Sequence, residues 1–98
     1  MFFCDYADKA IKRQGLNGYN NLARVICISK PSMSALKTGK STPSDDTMLK
    51  IAELAGYPPE EALIDLNIWR CKNYPDRYKV WQSISEIVTN FRDTMRND

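Results

Sequence analysis

Apolar residues recur along most of this chain at intervals of three and four positions, the spacing of one face of an α-helix. No stretch alternates apolar and polar residues as a half-buried strand would, and no internal repeat stands out. The pattern therefore predicts an all-α chain of five or six short helices. They cover residues 2–14, 19–26, 30 to about 38, the stretch between Ser44 and Gly56, the stretch that opens at Pro58, and about 76–95.

Residues that start and stop helices stand between these apolar segments. Gly15 ends the first predicted helix. Ser29 is a good N-cap, and Pro31 lies in the first helical turn, where proline is tolerated. Gly39 can take the left-handed conformation that ends a helix, and Ser44 caps the next one. Residues 20–44, NNLARVICISKPSMSALKTGKSTPS, are thus predicted to form two short helices joined by a tight turn and followed by a basic polar loop.

The second of these two helices has two different faces. With Met33 pointing inward, Leu36 lies beside it and both face the core. The opposite face is small and polar, and only one lysine at its start is charged. A DNA major groove admits a helix, and small side chains allow its backbone to approach the bases closely. The residues predicted to lie near base edges are Lys30, Pro31, Ser34, Ala35 and Thr38.

This arrangement resembles the Cro/CI (lambda-repressor-like, Xre) helix-turn-helix family over roughly residues 3–68. The resemblance implies a five- to six-helix DNA-binding domain, here with an added C-terminal amphipathic helix. It also implies a dimer on operator DNA, often a repressor, and small phage repressors are the most similar in size and layout. The residues that carry the resemblance are Leu22-Ala23, Ile28-Ser29, Met33, Leu36, Gly39, Pro43-Ser44, Leu49-Lys50-Ile51-Ala52, Leu54 and Gly56-Tyr57.

The resemblance also implies phosphate contacts on both sides of the helix pair. Tyr19 and Asn20 begin the first helix, whose N-terminus would meet one phosphate, and Lys40 and Ser41 follow the second helix. Two positions depart from the family pattern. Cys27 stands where the family usually has glycine, so the turn requires either a negative φ or a strained cysteine. Pro31 stands where long polar side chains commonly read bases, which leaves more of the recognition to DNA shape.

The distribution of charge is more informative than the net charge of +2. Residues 1–44 carry seven basic and two acidic side chains, a net charge of +5. Residues 45–98 carry seven basic and ten acidic side chains, a net charge of −3. The N-terminal part is therefore the part expected to face a polyanion such as double-stranded DNA.

Several functional classes are disfavoured by composition. The chain has no histidine, which removes His-assisted nucleophilic catalysis and the commonest metal ligand. Its three cysteines form no C-x-x-C pair and are predicted to be reduced, mostly buried thiols. No enzyme, metal, cofactor or small-molecule ligand is predicted.

Segment 34–41 approaches a P-loop but lacks its first glycine and its preceding strand. Neither a signal peptide nor a membrane span is indicated, so a cytoplasmic protein is expected.

The last predicted helix carries a long apolar stripe at spacings of 3, 4, 3 and 4. One interpretation is that it folds back on the fifth helix and completes a monomeric core. The other, which we favour, is a two-fold dimer contact, because a dimer reads two half-sites. The chain is accordingly divided into a DNA-binding domain, residues 1–72, and a C-terminal element, residues 73–98. The predicted dimer residues are Trp81, Ile84, Val88, Phe91 and Met95.

Taken together, the sequence predicts a sequence-specific DNA-binding regulator, a phage or bacterial repressor that acts by occupying an operator. Two alternatives stay open. One is the DNA-binding antitoxin of a toxin–antitoxin pair, whose C-terminal helix would bind the toxin. The other is a helical adaptor that contacts only protein.

Overall fold

Six α-helices make up the computed structural model, which describes residues 2–97 and the side chains as far as Thr94. The predicted all-α class is confirmed. The helices are α1 (Phe3–Gln14), α2 (Tyr19–Val25), α3 (Lys30–Thr38), α4 (Asp45–Ala55), α5 (Pro59–Arg70) and α6 (Pro75–Asn97). The boundaries lie within a few residues of those predicted. Helices α1 and α2 are each one residue shorter than predicted, and α6 is longer at both ends.

The helix ends follow the chemistry of their capping residues. The Ser29 side chain accepts a hydrogen bond from the Ser32 N–H, and the Ser44 side chain accepts one from the Thr47 N–H, both at 3.2 Å. Gly39 closes α3 in the left-handed region, with φ of 79°. Because an N-cap and a left-handed glycine bracket α3, its length and its position along the chain are set locally.

The core lies where α1 packs across α4, and α2, α3 and α5 close around this pair. The apolar side chains that α2 and α4 bury there are Leu22, Ala23, Met48, Ile51, Ala52 and Ala55. The fully buried large side chains are Tyr6, Leu22, Ile26, Met48, Ile51 and Leu66.

Tyr6 joins α1 to α5. Its ring meets Tyr57 and Trp69 edge-on, with centroids 5.0 Å and 5.9 Å away, and its hydroxyl donates to Asp65. Burial and the hydrogen bond to Asp65 raise the pKa of the Tyr6 phenol well above its usual value. The hydroxyl therefore stays protonated and keeps donating, which satisfies a polar group at the edge of the core.

Helix α5 lies between α4 and α6, which suits a helix that carries apolar residues on several sides. Helix α6 folds back along α5, and an ion pair between Arg92 and Glu61 links the two. Val88 lies beside α5 residues Glu61, Ile64 and Asp65. No helix within residues 2–97 has both the length and the hydrophobicity needed to cross a bilayer.

Part of the apolar stripe of α6 is half-buried, and another part is exposed to solvent. Trp81, Ile84 and Val88 are half-buried, whereas Phe91 remains 67% exposed. The side chain of Met95 lies outside the described residues. Val80 and Ile87 are also exposed, at 57% and 66%. The packing on α5 thus covers one edge of the stripe and leaves the other edge open.

Candidate nucleic-acid interface

The connection between α2 and α3 is a tight turn held by backbone hydrogen bonds. The Cys27 N–H donates to the Arg24 carbonyl at 3.2 Å, and the Ile28 N–H reaches back to the Ala23 carbonyl at 2.9 Å. Ile26 is buried at the start of the turn, and Ile28 packs partly against the core. These anchors on both sides fix the direction in which α3 leaves α2.

Cys27 lies at the apex of this turn with φ of +61°, in the left-handed region. Cys27 therefore adopts the strained conformation with positive φ, and not the negative φ that was the other possibility at the family's glycine position. A side chain with a Cβ in this region costs about 1–2 kcal/mol relative to the right-handed region. The prediction of mostly buried thiols was wrong for Cys27, which is exposed, whereas Cys4 and Cys71 are half-buried. The apex of a tight turn points its side chain away from the core.

Replacing Cys27 is expected to change the free energy of unfolding, because the replacement relieves or increases this strain. Cys27→Gly should raise the free energy of unfolding by up to about 1 kcal/mol, because glycine tolerates positive φ although its unfolded chain is more flexible. Cys27→Val should lower it, because a β-branched residue is still more crowded there. Urea unfolding of the three proteins measures the order. If Cys27→Val proves as stable as Cys27→Gly, the turn relaxes to negative φ and the strain is absent.

Helix α3 presents its two faces as the sequence predicted. Met33 and Leu36 are buried against the core. The five residues predicted to lie near base edges share the outward side: Lys30, Pro31, Ser34 and Thr38 are exposed, and Ala35 is half-buried. The structure therefore brings the whole predicted base-reading set onto one accessible surface, which we call the recognition face.

The loop after α3 folds back on the helix it leaves. The N–H groups of Lys40 and Ser41 both donate to the Ala35 carbonyl oxygen, at 2.9 Å and 3.3 Å. Their backbone donors are thus used within the protein. Both residues are exposed, so any phosphate contact at this end of α3 falls to the lysine ammonium and the serine hydroxyl.

Arg70, at the end of α5, stabilises the same loop. Its guanidinium donates to the Pro43 carbonyl at 3.2 Å and pairs with the Asp45 carboxylate at 2.9 Å. Pro43 is buried. Sequence reasoning did not single out Arg70, because its partners lie more than 20 residues away along the chain and no local motif joins them.

On the other side of α3, a cluster of side chains ties α1, α2 and α3 together. The Tyr19 hydroxyl donates to Asp8, and the Lys37 ammonium lies over the Tyr19 ring, 4.5 Å from its centroid. Partial burial and the bond to Asp8 raise the pKa of Tyr19 above its usual value. The phosphate contact predicted for Tyr19 is thereby left to its backbone, whereas the Asn20 side chain is exposed.

The surface around the recognition face is electropositive. Residues 9–44 contain seven basic side chains and no acidic one. Of the two carboxylates that flank this stretch, Asp8 accepts the Tyr19 hydrogen bond and Asp45 pairs with Arg70. A polyanion that approaches α3 therefore meets Lys30 and Lys40 without an opposing charge from the intervening segment.

A helix-turn-helix family model matches residues 9–61, more than half of the chain. The protein belongs to this helix-turn-helix family. The resemblance to the Cro/CI type is thereby confirmed, and the protein is a DNA-binding regulator of this family. The match ends within α5, so α6 lies beyond it. Neither the curated proteins nor the solved structures contain a significant match.

Proposed function

We propose that this helix-turn-helix protein is a transcriptional repressor of phage or bacterial type that excludes polymerase by occupying an operator as a homodimer. The main observation in support of this proposal is the recognition face of α3. It is exposed, built from small side chains, and surrounded by a segment with basic and no acidic residues. That combination fits insertion of α3 into the major groove.

The exposed residues divide into two proposed roles. Lys30, Pro31, Ser34, Ala35 and Thr38 lie on the recognition face and are proposed to contact base edges. Lys40 and Ser41, together with Asn20 and the backbone at Tyr19, flank that face and are proposed to contact phosphates. The phosphate contacts would set the register of the protein on the duplex, and the recognition face would provide sequence preference.

The dimer is proposed to form through the open edge of α6. Val80, Ile84, Ile87 and Phe91 recur at spacings of 4, 3 and 4, which places them in one row along the helix. Three of the four are more than half exposed, since α5 covers only the opposite edge of the apolar stripe. A second copy of α6 would bury this row, and Phe91 would be an aromatic anchor for it. In this proposal residues 73–98 provide assembly and residues 1–72 bind DNA.

Selection of bound sequences from random double-stranded DNA with the full-length protein tests this function. An enriched palindrome, with half-site centres about 34–36 Å or a multiple apart, is the expected result. Affinity should also fall steeply with salt. If no sequence is enriched and no salt-dependent binding is seen, the protein-only adaptor is the better interpretation. Selective capture of the product of an adjacent toxic gene by α6 would favour the antitoxin instead.

Lys30 and Lys40 are expected to differ in role. Lys40→Ala should weaken binding to all sequences about equally and reduce the salt slope by about 1 for each half-site. Lys30→Ala should cost about 1–3 kcal/mol of operator binding and relax the preference at one position. Titrations at several salt concentrations measure both effects. Lys79→Ala, which removes the same charge from the exposed surface of α6, is the control. Equal, sequence-independent losses from Lys30 and Lys40 would refute the base-proximal role of Lys30.

A further inference from the structure

Most polar groups of α3 are already engaged within the protein. The hydroxyls of Ser29 and Ser32 lie 2.8 Å apart in a hydrogen bond, and the Lys37 ammonium lies over the Tyr19 ring. The Thr38 hydroxyl lies 3.0 Å from the Ser34 carbonyl oxygen and donates to it, so towards solvent it offers an acceptor beside its methyl group. Among the described side-chain contacts of α3, the donors left uncommitted are the hydroxyls of Ser32 and Ser34 and the Lys30 ammonium, because Ser32 accepts rather than donates in its hydrogen bond with Ser29.

A shallow groove of about 420 Å³ opens beside the recognition face, between α3 and the loop that leads to α4. Its apolar walls come from Ile28, Pro31, Ala35, Leu36 and Pro43, and hydroxyl side chains complete the lining. None of the residues that line it is charged. The loop wall is held in place by the hydrogen bond from Arg70 to the Pro43 carbonyl.

The chemistry of base edges decides what such a surface can read. In the major groove guanine presents two acceptors, adenine an acceptor and a donor, and cytosine a donor. Thymine alone adds an apolar group, its 5-methyl. The side chains of Pro31 and Ala35 have no donor for guanine but offer hydrocarbon contact to a methyl group.

We propose that the groove beside Pro31 and Ala35 reads the 5-methyl group of at least one thymine in each operator half-site. This inference rests on the proposed DNA-binding function and names the base chemistry that the recognition face selects. Lys30, at the N-terminal end of the same face, reads a separate position. Specificity at the thymine comes from apolar contact, so the methyl group itself, rather than the hydrogen-bonding pattern of the base pair, carries the preference.

Methyl substitution of the DNA tests the proposal without altering the protein. Replacing thymine by deoxyuridine removes only the 5-methyl group. At the position that is read, affinity should fall about fourfold per methyl, and about fifteenfold when both half-sites of a palindrome are changed. At the same position, a 5-methylcytosine·guanine pair should bind about fourfold more tightly per half-site than an unmethylated cytosine·guanine pair.

A coupling measurement locates the contact. Ala35→Gly removes the methyl group that the protein contributes, and deoxyuridine substitution should then cost clearly less than with the native protein. Because each protein is compared on two operators, any general weakening of α3 by glycine cancels. A melting curve establishes that the variant is folded at the temperature of the titration.

The outcomes distinguish a failure of methyl reading from a failure of DNA binding. Full affinity for an operator in which every thymine is replaced by deoxyuridine would overturn methyl reading and leave DNA binding intact. An unchanged cost of deoxyuridine in Ala35→Gly would overturn the assignment to this groove. Absence of any preferred DNA sequence would overturn the proposed function, and the inference with it.

Discussion

Ser34→Glu is expected to abolish operator binding while leaving the protein folded. Ser34 is exposed at the centre of the recognition face, so a glutamate there would place a carboxylate against the negatively charged groove. Like charges brought together at an interface cost several kcal/mol, which corresponds to at least about a hundredfold loss of affinity. Fluorescence anisotropy with labelled operator measures the loss, and circular dichroism checks the fold.

Asn90→Glu is the matched control. It introduces the same charge at an exposed position on α6 and should change operator affinity by less than about twofold, because screening over about 8–10 Å weakens distant charges. Retention of operator binding by Ser34→Glu, with an intact fold, would show that α3 does not enter the groove and would redirect the search for the DNA contact to another helix.

The second large effect is expected from the open edge of α6. The double variant Ile87→Glu with Phe91→Glu should be monomeric at micromolar concentration, because both side chains are about two-thirds exposed and would face the second copy. Its affinity for a palindromic operator should fall by about 10²–10⁴, because the second half-site loses its tether. Its affinity for an isolated half-site should stay close to that of the native protein. Light scattering and titrations on the two DNA duplexes measure these outcomes.

The double variant Ser83→Glu with Asn90→Glu controls for charge. It adds the same two carboxylates to exposed, polar positions of the same helix and should remain dimeric. If the native protein is itself a monomer, both free and on its operator, the proposed role of α6 in assembly is wrong. Its function is then limited to the packing on α5 that the structure shows.

Local sequence determined the helices and the orientation of the recognition face. Ser29 and Ser44 cap α3 and α4 because a short hydroxyl side chain reaches the free N–H groups of the first turn. Gly39 ends α3 because it tolerates a positive φ. Met33 and Leu36 lie three residues apart and therefore share one face of α3, which sets the opposite face towards solvent. Each of these features depends on neighbours within about one helical turn, so a single sequence was sufficient to predict it.

The tertiary structure alone decided the features that depend on distant residues. The φ of Cys27 could have taken either sign from local preference, and the anchoring of the turn on the core selected the positive one. Arg70 reaches Pro43 across 27 positions, and no helical period relates the two residues. The division of the α6 stripe likewise required α5 to be in place. Packing between helices positions side chains by shape and contact. The spacing of residues along the chain does not specify which helix will pack beside them.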